Sequence, residues 1–217
     1  RFKEQAKQEE TKTRLKMHRP PRSSKKKWAG LVPVLGALLL PFLFWSESNE
    51  QKARKSYESG RKSQEKRRYD EAILHYGEAI ARDPKHSKAH FDRGMLLVAK
   101  ERWEEAIADF TRALLLEPKK TELHFHRAMA YAEKKEWEKA IADYTRVVGS
   151  CPSHAMAFYH RGVAHEAKEE WDKAIADYTR ALELTPAFPT AYNKRGSLYA
   201  MQGKWKRALE DYGRAIE

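Results

Sequence analysis

The 217-residue chain has one cysteine, Cys151. A single thiol excludes an intrachain disulfide and any cage of thiolates around zinc, and it leaves the redox compartment open. Acidic side chains are scarce at one end, where residues 1–27 hold eleven Lys and Arg against three Glu. That stretch carries +8 of the formal +12, leaving about +4 over the other 190 residues. A chain that gripped nucleic acid along its length would spread positive charge over a face to neutralise phosphates. Here the basicity is confined to an arm, and nucleic acid is not an expected partner. There is no Gly-rich phosphate loop, no nucleophile elbow, and no Cys–His pair with a third member. No enzymatic activity, cofactor or metal is therefore expected. The first residue is Arg1 rather than Met, so the original start, with any targeting peptide, is expected to have been lost.

Charge is absent altogether from residues 28–45, "WAGLVPVLGALLLPFLFW", a run with Trp28 and Trp45 at its ends. Eighteen residues at about 1.5 Å each reach roughly 27 Å, enough for a thin hydrocarbon layer. Tryptophan suits both interfaces, so the run reads as a single transmembrane helix. Pro33 and Pro41 each remove a backbone donor that a neighbour or a local kink must compensate. Lys25, Lys26 and Lys27 precede the span and "SESNE" follows it. The positive-inside tendency then keeps the arm on the matrix or cytoplasmic side and sends the rest across. The arm reads either as a solvated topogenic tail or as a segment that binds lipid or a partner. Residues 46–52 read as a linker. The basic start favours the mitochondrial inner membrane, and a bacterial plasma membrane or another organelle membrane fits the same features.

From residue 53 the chain repeats every 34 residues, in registers starting at 53, 87, 121, 155 and 189, the last incomplete. "WEEAIADFTRAL" at 103 returns as "WEKAIADYTRVV" at 137 and "WDKAIADYTRAL" at 171. Small residues occupy the eighth place (Gly60, Gly94, Ala128, Gly162, Gly196) and the twentieth (Ala72, Ala106, Ala140, Ala174, Ala208). Glycine inside a helix costs about 1 kcal/mol against alanine, so its return implies a close approach where two helices cross. Rings fall at the seventeenth place (Tyr69, Trp103, Trp137, Trp171, Trp205) and, two turns on, at the twenty-fourth (Tyr76, Phe110, Tyr144, Tyr178, Tyr212). Pro84, Pro118, Pro152 and Pro186 stop each second helix. Such units, each two amphipathic helices and a turn, bury their apolar faces only against one another.

These places resemble the signature of the tetratricopeptide repeat family over residues 53–217. The resemblance implies an all-α fold, a right-handed superhelical solenoid of helix-turn-helix repeats, here preceded by the transmembrane helix. It also implies a groove lined by the first helices and a protein or peptide as partner. Their second, fifth, sixth and ninth places would face a ligand. On this chain that points to Phe91, Asp92, Met95, Phe125, His126, Met129, Tyr159, His160 and Lys194, with Tyr57 at the first repeat. The family's clamp for chaperone C-termini needs Lys and Asn where Phe91 and Met95, or Phe125 and Met129, stand, so that ligand is not expected. The row from Asp92 to Lys194 changes from acidic to basic around an aromatic, Met-lined centre, which suits an apolar segment.

A departure from the family lies at the seventh place, where Arg93, Arg127, Arg161 and Arg195 replace a large aliphatic residue. Asp109, Asp143, Asp177 and Asp211 recur at the twenty-third place, with Arg112, Arg146, Arg180 and Arg214 three residues on. The set reads as a structural ion-pair ladder or as a track for an anionic ligand. Ser56, Ser59, Ser63 and His75 make the first unit a polar end, whereas Leu209 and Ile216 leave the last open to further chain or another protein. Gly149 offers a place for the stack to bend. The function expected is a membrane-anchored protein–protein interaction scaffold, an accessory or assembly subunit of a multisubunit membrane complex. The alternative is a transport or import receptor, or a cochaperone, that binds client peptides in the groove.

Overall fold

A computed structural model describes residues 49–216. The arm 1–27, the span 28–45 with Lys25, Lys26, Lys27, Trp28 and Trp45, and the linker up to residue 48 lie outside the described residues. Among those described there is no strand, and no helix is long and apolar enough to cross a membrane. Ten helices follow one another: α1 (49–65), α2 (Tyr69–Arg82), α3 (Ser87–Ala99), α4 (Trp103–Leu116), α5 (Thr121–Glu133), α6 (Trp137–Ser150), α7 (Ala155–Ala167), α8 (Trp171–Leu184), α9 (Pro189–Met201) and α10 (Trp205–Ile216). Odd-numbered helices are the first helix of each unit and even-numbered ones the second. The helices α3, α5, α7 and α9 start on the expected residues 87, 121, 155 and 189. The first differs: residues 49–52, expected as linker, are already helical.

The same local devices end each helix. Every first helix closes in a Schellman turn, in which Arg102 N–H donates to the Leu97 carbonyl at 2.9 Å and Glu101 N–H to Val98 at 3.0 Å. The turn puts its fifteenth-place residue in the left-handed region, at φ 58° for Arg67 and Glu101, 60° for Lys135 and Glu169, and 72° for Gly203. Second helices stop two residues before each proline. The intervening Asp83, Glu117, Cys151 and Thr185 all take φ between −138° and −130°, because the proline ring keeps the residue before it out of the α region.

Packing is nearest-neighbour throughout. Tyr76, Phe110, Tyr144 and Tyr178 are fully buried, each between its own unit's small residues and the next first helix. Leu96 packs with Ala72 and Tyr76, and Leu198 with Ala174 and Tyr178. The eighth-place glycines make room chiefly for these rings. A Cβ on Gly60 would lie 2.6 Å from Tyr76 Cδ1, and one on Gly162 would lie 2.8 Å from Tyr178 Cε1 and 3.3 Å from the Ala174 carbonyl. The expected crossing of small residues is therefore mainly a slot for a ring. Successive first helices touch, α3 with α5 and α5 with α7, and no pair of second helices packs to the same extent. The stack is tighter on the first-helix side, which makes that side its inner, concave face.

The arginine track proves structural. Each seventh-place Arg grips the Asp of its own unit through two parallel bonds, for example Arg127 Nε and Nη2 to Asp143 at 2.7 and 2.9 Å, and Arg195 to Asp211 at 2.8 and 2.7 Å. The remaining nitrogen reaches back to the preceding unit, Arg127 to Thr111, Arg161 to Thr145 and Arg195 to Thr179, at 3.0 to 3.2 Å. With two donors of each arginine held on a buried carboxylate, and the third nitrogen of Arg127, Arg161 and Arg195 on a threonine, these arginines act as a structural ladder. At the twenty-sixth place Arg180 turns to Glu183, while Asp177 is held by Arg161. Asp109 and Asp143 take their third bond from His90 and His124 Nδ1, both at 2.8 Å. A second, exposed ladder joins units at the surface, Lys100 to Asp70, Lys134 to Glu104 and Lys168 to Glu138 at 2.6 to 3.0 Å, with Gln202 to Asp172 continuing it. At the first unit, Ser56 and Ser63 are buried rather than facing water. Ser56 Oγ donates to Glu78 and accepts from Arg82. The water-facing polar edge is instead formed by Gln51, Arg54, Lys55 and Lys62.

Candidate functional site

The expected groove residues sit on the inner sides of α1, α3, α5, α7 and α9. Fifth-place rings are half-buried, packed at one edge against the core beneath. Phe91 and Met95 lie against the Phe110 cluster, Phe125 and Met129 against Tyr144, and Tyr159 against Tyr178. Each is thus packed on the core while part of its ring stays accessible.

Each of these rings has a lid that the periodicity did not disclose. The last residue of the same register, at the start of the next first helix, lies over it: His86 on Tyr57 at 4.7 Å, His154 on Phe125 and Phe188 on Tyr159 at 4.8 Å, and the Lys120 ammonium over Phe91 at 5.4 Å. His86 and His154 hold their position by accepting, through Nδ1, the N–H of Ala89 and Ala157 at the helix start. Loop residues in a fixed register were the available signal.

The sixth-place residues fill the spaces between rings. His126 lies 5.6 Å from Phe91 and 5.5 Å from Phe125, and His160 lies 5.9 Å from Phe125 and 5.3 Å from Tyr159. Each also stacks on a buried ring, His126 on Phe110 and His160 on Tyr144. Burial pushes the basicity of both down. For His126, Glu122 opposes that shift and His154 adds to it, and His154 adds to it for His160 as well. The middle of the row, Phe91–His126–Phe125–His160–Tyr159, is therefore neutral and aromatic at physiological pH.

Polar groups mark its two ends. Tyr57 donates to Asp92 at 2.7 Å; burial first, then this bond to a carboxylate, raises the phenol's pKa. At the other end Lys194 donates to Glu166 at 3.0 Å, and Glu166 in turn accepts from Tyr178. The expected change of sign along the row is present, but both charges are engaged within the array. Among the described residues no group of His, Cys, Asp and Glu is placed to hold a metal ion.

The chain's middle and end match models of two repeat families, Tetratricopeptide repeat over 57–114 and 91–155, and TPR repeat over 167–203. The array is built of tetratricopeptide repeats. Solved structures with the same fold include MamA, 24% identical over 72% of this chain and 92% of that one, with a TM-score of 0.71. A second, described as MamA 41-end from Desulfovibrio magneticus RS-1, is 19% identical over 76% and 93%, with a TM-score of 0.73. YrrB, described as a TPR protein with an unusual peptide-binding site, is 21% identical over 78% and 88%, with a TM-score of 0.69. At these identities the likeness is one of fold. No curated protein matches the chain. Tetratricopeptide arrays are scaffolds for protein–protein interaction, and this chain is one of them in architecture.

Proposed function

We propose that this array holds an apolar segment of another protein in its groove, as an accessory or assembly subunit of a membrane complex. The reading rests on the half-buried row Phe91–His126–Phe125–His160–Tyr159, flanked by Met95 and Met129. Rings locked by lids at about 4.8 Å offer apolar surface at little entropic cost. Asp92 and Lys194 at the two ends would set the direction of the bound segment. Residues 28–45 would anchor the array as a single span, with the basic arm on the matrix or cytoplasmic side of, by preference, the mitochondrial inner membrane. YrrB's described peptide-binding site supports the groove and not the compartment.

The test is recovery of the full chain from membranes in mild detergent, before and after a high-salt wash, alongside Phe125→Ala and Tyr159→Ala. Partners at fixed ratio that survive the wash, and fall several-fold in both variants, support a complex subunit. Many substoichiometric clients would favour the receptor reading. Partners indifferent to both variants would remove the groove from the account. Protease protection of the arm in intact vesicles tests the orientation.

A further inference from the structure

The first junction of the array is packed unlike the next two. At those, a sixth-place histidine stacks on the buried ring of the unit before it, His126 on Phe110 and His160 on Tyr144. At the first junction that place is Asp92, which has no ring to lay on Tyr76. An open pocket of about 610 Å3 lies there, between α1 and α3, with Arg61, Gln64, Tyr69, Tyr76, Asp92 and Met95 in its lining.

Asp92 also differs from its counterpart at the opposite end of the groove. Glu166 accepts from the Tyr178 phenol and has a cation as well, Lys194 at 3.0 Å. Asp92 Oδ2 accepts from the Tyr57 phenol at 2.7 Å, and among the described residues no cation pairs with it. Burial first, and Asp92 with it, raise the pKa of both Tyr57 and Tyr76, so the two phenols feel this carboxylate's charge. Arg61 opposes both shifts, but its guanidinium stands 3.6 Å from Glu65 on the exposed rim. A half-buried carboxylate held by one neutral phenol keeps lone pairs for a cation. The wall beside it is apolar. Met95 and Ala99 follow Asp92 by three and seven residues, along one side of α3, and both line the pocket. Such a wall suits the methylene stem of a long basic side chain.

We infer that this pocket receives a lysine or arginine side chain of the segment held in the groove, with its charge on Asp92 and its stem along Met95. The inference rests on the proposed occupancy of the groove and names the residue type that occupancy needs at the first junction. The chain's own basic arm is not the source, because in the proposed topology it lies across the membrane from the array.

The test tethers a model side chain beside the pocket. In a Cys151→Ser background, Ala99→Cys puts the sole thiol on the exposed wall, two helical turns or about 10 Å from Asp92. The full chain in detergent is equilibrated with mixed disulfides of aminohexanethiol, hydroxyhexanethiol and mercaptohexanoate, and capture is read by intact mass. The ammonium probe is expected to be captured about three- to tenfold more than the hydroxyl probe. Asp92→Asn, whose amide oxygen still accepts from Tyr57, should remove that preference, and Tyr57→Phe should keep it. Equal capture, a preference that survives Asp92→Asn, or a preference for the carboxylate probe through Arg61 and Arg67 would each overturn the proposal. Removing residues 1–27 should change nothing; a rise in ammonium capture would mean that the arm fills the pocket, and would overturn the assignment to a partner. Phe125→Ala should leave capture unmoved. In the membrane recovery experiment, a partner lost several-fold in Asp92→Asn supports the proposal, and one lost in Phe125→Ala but kept in Asp92→Asn overturns it with the groove intact. A partner indifferent to both would instead be failure of the groove.

Discussion

Removing Asp143 is the sharpest probe of what holds the array together. Its carboxylate is 5% exposed and accepts two bonds from Arg127 and one from His124, at 2.7, 2.9 and 2.8 Å. Asp143→Ala strands a guanidinium that is only 16% exposed and keeps a single bond, to Thr111. Breaking one side of a buried pair costs about 3–5 kcal/mol, because the remaining charge loses its partner without regaining water. In a chain of this size each kcal/mol moves Tm by about 2–4 °C, so a fall of about 6–20 °C is expected. The assay is thermal unfolding followed by circular dichroism at 222 nm, run as a double-mutant cycle with Arg127→Met and Asp143→Leu. The double variant should recover at least half of the loss, since two apolar groups leave no charge to strand. A shift of about 1 °C in Asp143→Ala, or simple additivity in the cycle, would refute the claim that the ladder is a coupled, buried device.

The remaining expectations concern single rungs and turns. Glu101→Gly should raise stability by about 0.5–1 kcal/mol in chemical denaturation, because φ of 58° is strained for a side chain and free for glycine. Gly77 stands where the next three units have Thr, and a Cβ there would lie 3.3 Å from Arg93 Nη1. Gly77→Thr should add the missing inter-unit rung and helix propensity, together about 1 kcal/mol, and the gain should vanish in an Arg93→Met background. Tyr144 has a buried hydroxyl with no partner among the described residues, whereas Tyr178 donates to Glu166. Tyr144→Phe is therefore expected to be neutral or stabilising and Tyr178→Phe to cost about 1 kcal/mol, read from paired urea curves. The folded chain holds His160 below the usual histidine value through burial. The unfolded chain then binds the extra proton, so stability falls as pH drops below about 6.5 and levels off beneath the folded value. His160→Phe should flatten that slope between pH 7.5 and 5.5, and an unchanged slope would show that the ring is not desolvated.

Much of the array was readable before any coordinates. The registers at 87, 121, 155 and 189 and the Arg–Asp pairs followed from a 34-residue period, since residues with one environment in every unit must repeat in type; the groove rings came from the family resemblance alone. The misreadings share a cause. Serine's polarity implies a water-facing Ser56, yet the first unit buries it against Glu78 and Arg82. A spacing of three puts Arg180 and Asp177 on one helix face, but Arg161 from the other helix fills that carboxylate. The lids His86, Lys120, His154 and Phe188 differ in type, so no single pattern announced them.

The sequence by itself determined the unit, its two helices, its breaks and its buried rings, because local propensity, apolar periodicity and proline act within a few turns of chain. Only the tertiary structure decided which partner each polar group takes. That choice depends on geometry across the unit boundary, where Arg127 meets Thr111 and Asp143 together. A period tells which residues share an environment; the stacking of one unit on the next decides what that environment is.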